Sequence, residues 1–178
     1  GDVVESWKKL GENRQTLVFG CNVAHSKLLR DAFKSAGVKA DHVDGYETDM
    51  DVRKQKIADF KSGKIQVLCN VAVLTKGFDA PECACIVIAR PTKSLMMHIQ
   101  ILGRGLRTAA GKEDCIIIDH AGNCIRNGLP TEVLPTELDD GDLKRNLDRK
   151  SKDSDEPTEH PCPSCGLLKL SRKCPSCN

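Results

Sequence analysis

Four short apolar runs punctuate the chain: Thr16–Phe19, Gln66–Cys69, Cys85–Ala89 and Cys115–Asp119. None alternates cleanly with polar residues, which is the pattern of a strand buried on both faces. A weaker run covers Ala40–Val43. Between the runs the period changes. From Ser26 to Ala36, Leu28, Leu29, Ala32 and Phe33 fall on one helical face, and Gly37 stops the helix. From Thr48 to Ser62, a Thr48-to-Asp51 capping box opens a helix that buries Val52, Ile57 and Phe60. Ser94 caps a third helix, running to about Arg107, with Leu95, Met96, Ile99 and Leu102 on its apolar face. Strand and helix alternate, so the fold class expected is α/β, a parallel sheet with helices on both faces.

After about Asn123 the pattern fades. Residues Glu137 to Glu159 carry many charges of both signs and few apolar groups, the composition of a solvated linker. The organisation expected is a lobe over 1–130, a charged linker over 131–159 and a small tail over 160–178. The tail holds Cys162-Pro-Ser-Cys165, eight intervening residues, then Cys174-Pro-Ser-Cys177. Each Cys-x-x-Cys turn sets two sulfurs about one metal apart, and two such turns complete a tetrahedron. Four soft thiolates in a closed site suit structural Zn²⁺, and a segment this short needs the metal to fold. The alternative is a pair of disulfides or a redox pair. His160 precedes the first turn and reads as a surface residue beside a complete ligand set.

The other cysteines, Cys21, Cys69, Cys83, Cys85, Cys115 and Cys124, stand singly in or near apolar segments. They read as small buried hydrophobes in a reducing compartment. No apolar run is long enough to span a bilayer and no signal-like start is present. A cytoplasmic setting of prokaryotic or phage origin is expected, with no membrane partner. The first residue is Gly1 rather than Met, which suits a piece of a longer chain. Formal net charge is +2, which says little about partners. Aromatics make up 3% of the chain, too few for a base-stacking platform. Any nucleic-acid contact is therefore expected at phosphates.

The most informative stretch is Gln100-Ile-Leu-Gly103-Arg104-Gly105-Leu-Arg107. Two glycines in a helix cost about 1 kcal/mol each against alanine, a local violation of the kind functional sites make. They remove bulk where a backbone or phosphate could approach. Arg104 and Arg107, three apart, share a helix face with Gln100 one turn earlier. From Ile86 to Lys112 the charged residues are Arg90, Lys93, Arg104, Arg107 and Lys112, with no acid among them. Such a strip suits an anion; a solvated basic helix is the alternative.

Gln-x-x-Gly-Arg-x-x-Arg resembles motif VI of superfamily 2 helicases. The resemblance implies a RecA-like lobe of the P-loop NTPase type. It implies that Arg104 and Arg107 act as arginine fingers on ATP bound between two lobes, with Gln100 and Gly103 beside the nucleotide. A fixed, always-charged fork stabilises charge on a transferring phosphoryl group. Leu74-Thr75-Lys76-Gly77-Phe78-Asp79-Ala80-Pro81 resembles motif V, which implies Gly77 and Asp79 near ATP and Thr75 and Lys76 near nucleic acid. Thr16 to His25 resembles motif IV and implies Asn22 as a nucleic-acid contact; the resemblance adds Asn70 to that surface. The stretch Gly111-Lys112 through Asp119-His120-Ala121-Gly122-Asn123 resembles bacterial and phage repair helicases of the RadD kind, which also carry a C-terminal zinc module. On residues alone, Asp119 reads as a turn or helix cap, His25 and His98 as structural histidines, and Gly45 as a strand end.

The sequence contains no Gly-x-x-x-x-Gly-Lys-Ser/Thr phosphate loop and no acidic pair after an apolar strand. The groups that hold ATP phosphates and Mg²⁺ would therefore come from an N-terminal lobe of the same polypeptide. The expectation is the second motor lobe of an ATP-dependent helicase or translocase, acting on DNA rather than RNA, with no ATP hydrolysis by the lobe on its own. The zinc module is the expected docking point for a repair partner. The alternative is a stand-alone, non-catalytic module that binds nucleic acid or a partner.

Overall fold

The computed structural model describes residues 2–45, 49–71 and 80–131, together with the backbone of 160–161 and 168–169. The chain divides into two compact units, Gly1–Pro130 and Thr131–Asn178. In the first, α1 (Val3–Leu10) precedes β1 (Thr16–Phe19), α2 (Val23–Ser35), β2 (Ala40–Val43), α3 (Met50–Lys61) and β3 (Val67–Asn70). Then come β4 (Cys85–Ile88), α4 (Leu95–Gly105), β5 (Ile116–Asp119) and α5 (Asn123–Asn127). The five strands form one parallel sheet in the order β2-β3-β1-β4-β5.

The two-residue period of the strands sorts their side chains into two cores. Leu17, Phe19, Leu68, Ile86 and Ile88 point to one face, where Phe60 of α3 and Ile101 and Leu102 of α4 cover them. Val18, Val67, Cys69, Cys85 and Val87 point to the other, under Val4 and Trp7 of α1 and Leu29 and Phe33 of α2. Helix α1 has no counterpart in the sequence expectation, yet Asp2 caps it by accepting from the Val4 and Glu5 amides. Trp7 is fully buried, stacks edge-on against Phe33 at 5.4 Å and donates from Nε1 to Thr16 Oγ1 at 2.7 Å.

Several helix details differ from expectation. Asp49, not Thr48, caps α3, accepting from the Asp51 and Val52 amides; Thr48 itself lies outside the described residues. Leu28, Val52 and Met96, assigned to buried faces, are exposed. The stripe of α4 that meets the sheet is rotated from the expected face: His98, Ile101, Leu102 and Gly105, of which Leu102 is common to both. Cys69, Cys83, Cys85 and Cys124 are buried as expected, and burial pushes the first three thiols up to about 12. Cys21 departs from that expectation and is exposed.

In the second unit, β6 (His160–Pro161) pairs antiparallel with β7 (Leu168–Lys169), His160 opposite Lys169 and Pro161 opposite Leu168. Cys162, Cys165, Cys174 and Cys177 lie outside the described residues. Among the described residues no group of three or more His, Cys, Asp or Glu is placed to hold a metal. None of the described helices is long and apolar enough to cross a membrane.

Candidate nucleotide-facing helix

Helix α4 connects parallel neighbours β4 and β5, so it starts where β4 ends and runs back antiparallel to the strands. Its buried stripe leaves an outward stripe at Met96, Gln100 and Gly103, spaced four and three residues apart. Met96, Gly103 and Arg107 are exposed, and Gln100 and Arg104 are half-buried at its flank. The helix ends at Gly105, so Arg107 stands on the turn beyond it rather than on the helical face that spacing suggested.

The two glycines do different work. A Cβ on Gly103 would meet nothing within 4 Å, so the outward side there is open. A Cβ on Gly105 would lie 2.4 Å from Cys115 Sγ and 2.7 Å from Ile86 Cδ1. Gly105 is thus a packing glycine, letting the end of α4 touch β4 and β5, and its small size is not an opening for a ligand.

The start of α4 is held by α5. Asn123 is fully buried; its Nδ2 donates to Arg90 O at 2.8 Å and its Oδ1 accepts from the Thr92 amide at 2.9 Å. Asn127 Nδ2 donates to Thr92 O at 3.0 Å, and Thr92 Oγ1 accepts from the Ser94 amide at 3.0 Å. Ser94 then caps the helix, accepting from the Met97 amide at 3.3 Å. One turn on, buried His98 donates from Nε2 to Gly128 O at 3.0 Å, the structural role expected of it. Helix α5 itself is set by Asp119, which accepts from the Ala121 amide at 2.9 Å and the Cys124 amide at 2.7 Å. Asp119 is therefore a cap.

The end of α4 is held by Lys112. Its ammonium donates to Arg107 O at 2.7 Å, to Pro81 O at 3.1 Å and to Gly105 O. Lys112 was expected in an anion-facing strip; its three N–H donors are instead committed to three carbonyls. A cleft of about 440 Å³ beside it is lined by Arg14, Gln15, Glu82, Ala84 and residues 109–114. It is a poor phosphate site, because its other cation, Arg14, bridges Glu12 at 2.6 Å and Asp114. Those carboxylates hold the Arg14 pKa above its ordinary value.

The remaining expected residues fall in three groups. Thr75, Lys76, Gly77 and Asp79 lie outside the described residues. Asn22 is exposed beyond the end of β1 and caps α2, accepting from the His25 amide at 2.8 Å. Asn70 is fully buried, and its Nδ2 donates to Val18 O at 3.0 Å. In this structure it ties β3 to β1. Asn22 follows a strand end, whereas Arg107 follows the end of a helix that runs back, so the two lie toward opposite edges of the sheet. A further buried chain, Ser26 Oγ to His42 Nδ1 at 2.8 Å and His42 Nε2 to Asp44 Oδ2 at 2.9 Å, was not anticipated. Ser26 is fully buried, so the chain joins α2 to β2 and is no hydrolytic triad.

A five-stranded parallel sheet with helices on both faces, and a glycine–arginine helix end at the surface, has the RecA-like fold of a helicase C-terminal lobe. The solved C-terminal domain of the DEAD-box protein Dbp5 shares this fold, with a TM-score of 0.57 at 21% identity, over 71% of this chain and 74% of that one. Residues 2–109 match the helicase conserved C-terminal domain, and the chain belongs to that family. It is 38% identical over 130 residues to a 51.5 kDa protein of a Lactococcus phage, covering 73% of this chain and 28% of that protein. It is 41% identical over 109 residues to IRC3 of Saccharomyces cerevisiae, named as a candidate ATP-dependent helicase, covering 61% of this chain and 16% of that protein. The chain thus spans less than a third of the length of these relatives.

Proposed function

We propose that this chain is the second motor lobe of an ATP-driven DNA helicase or translocase of the RadD-like repair branch, working in the cytoplasm of a prokaryote or its phage. The observation that carries this reading is the outward stripe of α4, with open Gly103 beside Arg104 and exposed Arg107. A first lobe on the same polypeptide supplies the phosphate loop and the Mg²⁺ ligands. Arg104 and Arg107 reach the ATP phosphates across the cleft, with Gln100, Gly103, Gly77 and Asp79 around the nucleotide. Thr75, Lys76 and exposed Asn22 meet the nucleic-acid backbone. Closing on ATP and opening after hydrolysis steps the lobes along a strand.

Cys162, Cys165, Cys174 and Cys177 hold one structural Zn²⁺ in this reading. Two features support it: a donor set of four thiols, and an antiparallel strand pair whose connecting residues, 162–167, include the first cysteine pair. Lys169, Arg172 and Lys173 offset the charge of the tetrathiolate site. The zinc module is the surface for a repair-protein partner.

The test joins this lobe to a first motor lobe and replaces Arg104 or Arg107 by Ala. Nucleic-acid-stimulated ATP turnover should fall by roughly 10²-fold or more, with nucleotide-free DNA affinity little changed. The unjoined chain should show no hydrolysis and bind DNA weakly, with affinity falling steeply as salt rises. Metal analysis of the same reduced preparation should find one zinc per chain. Normal turnover in both variants removes the arginine reading. An inert two-lobed form, with tight binding of one target by the chain alone, favours a non-catalytic binding module instead.

A further inference from the structure

Lys112 sits where the chain, having left α4, turns back. Gly111 takes a φ of +76°, a conformation open to glycine, and the Lys112 amide donates to Ala109 O at 3.2 Å to close the turn. The turn aims the side chain back at the end of α4. There its ammonium meets Gly105 O and, at 2.7 Å, Arg107 O, carbonyls left without helical partners at the negative end of the helix dipole. Its third donor crosses to Pro81 O at 3.1 Å, the last residue of the segment that resembles motif V. One half-buried cation thus joins three backbone points: the last residue of the helix, the arginine beyond it, and the chain entering β4.

Two other features fix that geometry. Gly105 brings the helix end against Cys115 and Ile86, so Gly105 O has little freedom. The Cys83 amide donates to Ala80 O at 3.1 Å, which turns the chain around Pro81. The Arg107 backbone lies outside the helix and on the surface, and the Lys112 ammonium donates to its carbonyl. Where the Arg107 Cα is held sets what its side chain can reach.

We propose that Lys112 is the positioning residue of the arginine pair, fixing the Arg107 backbone and linking it to the Pro81 end of the motif V segment. Lys112 touches no nucleotide itself. The proposal rests on the arginine reading given above, and it makes a separate claim about how the arginine is held. A nucleotide-driven shift of the motif V segment would reach Arg107 through this ammonium, because both carbonyls share it.

Two measurements on Lys112→Met test it. In this chain as it stands, hydrogen exchange should quicken together at the Leu106 and Cys83 amides, one on each side of the clamp, while strand amides in β1 and β3 keep their protection. In the two-lobed form, kcat should fall on the order of 10-fold or more, as expected when a catalytic group is displaced by about 1 Å, with the KM for ATP little changed. Lys112→Met added to Arg107→Ala should cost nothing further, because the lysine acts through the arginine. Lys112→Arg keeps the charge and should recover part of the loss. Unchanged exchange at either amide overturns the proposal, as do losses that multiply in the double variant. A normal kcat for Lys112→Met beside an inactive Arg107→Ala also overturns it and leaves the arginine reading standing. A normal kcat for Arg107→Ala removes that reading, and the positioning role falls with it.

Discussion

The two ends of α4 are secured by opposite means. At its start, Asn123, Asn127, Thr92, Ser94 and His98 make a web of side-chain hydrogen bonds, most of them between neutral groups. At its end one ammonium gathers three carbonyls, beside the packing of Gly105 and the bond from the Leu106 amide to Leu102 O. Redundant bonds make a foundation: losing one leaves the rest. A charged tie shared by three carbonyls makes a joint, since displacing it loosens all three together. The arginines assigned to phosphate stand at the joint, and the anchored end carries no residue assigned to chemistry. Under the proposed function that division suits a helix whose base is fixed to the sheet and whose tip answers to a nucleotide.

The largest effect on this comparison should come from filling the packing contact at the tip. Gly105→Ala puts a methyl 2.4 Å from Cys115 Sγ and 2.7 Å from Ile86 Cδ1, and Ile86 is fully buried. Overpacking of this kind costs about 1–3 kcal/mol. Thermal melting of the chain should show the loss, and Cys115→Ala in the same chain should return part of it by emptying the space. If Gly105→Ala melts like the parent, the tip is looser than its packing implies and the contrast between the ends disappears.

A smaller effect is expected at the base. Asn123→Ala deletes a buried amide and leaves Arg90 O and the Thr92 amide without it, at a cost of about 1–2 kcal/mol. Asn127 and Ser94 keep their bonds, so α4 should stay helical and Arg107 should stay competent. Denaturant unfolding measures the first expectation and ATP turnover of the two-lobed form the second. A variant that keeps its stability but loses turnover would show that the base, too, controls the arginines.

These features were unequally visible in the sequence. The strands stand out because they are buried on both faces and so become continuous apolar runs, and Ser94 reads as a cap because capping is local. The faces of the helices are harder. Leu28, Val52 and Met96 fit a helical period yet stay exposed, because periodicity shows that residues share a face and not which face meets the sheet. Helix α1 carries a local signal, Asp2 three residues before Glu5 with Trp7 on the apolar side, but only one turn of apolar period follows it. The structural roles of Asn123 and Lys112 were not legible: Asn123 bonds to Arg90 and Thr92, and one of the three Lys112 bonds reaches Pro81, each about thirty residues away in the chain. Gly103 and Gly105 look alike in sequence, and only the position of β4 and β5 separates a glycine that packs from one that stands open.

That separation gives the smallest effect and the sharpest sign. Gly103 lies inside α4 with nothing within 4 Å of a would-be Cβ. Alanine there should reduce the entropy of the unfolded chain without a clash, raising stability by up to about 1 kcal/mol. Gly105→Ala, two residues on, should lower it, so one substitution type changes sign within half a helical turn. The open side of Gly103 faces outward beside Arg104 and Arg107, where the proposed function puts the ATP phosphates. In the two-lobed form the same methyl should therefore reduce turnover although the lobe itself is more stable. Melting temperature and kcat moving in opposite directions would mark Gly103 as a glycine kept for its ligand. If both rise together, the outward stripe does not face nucleotide at this position, and the glycine has no functional reason to be there.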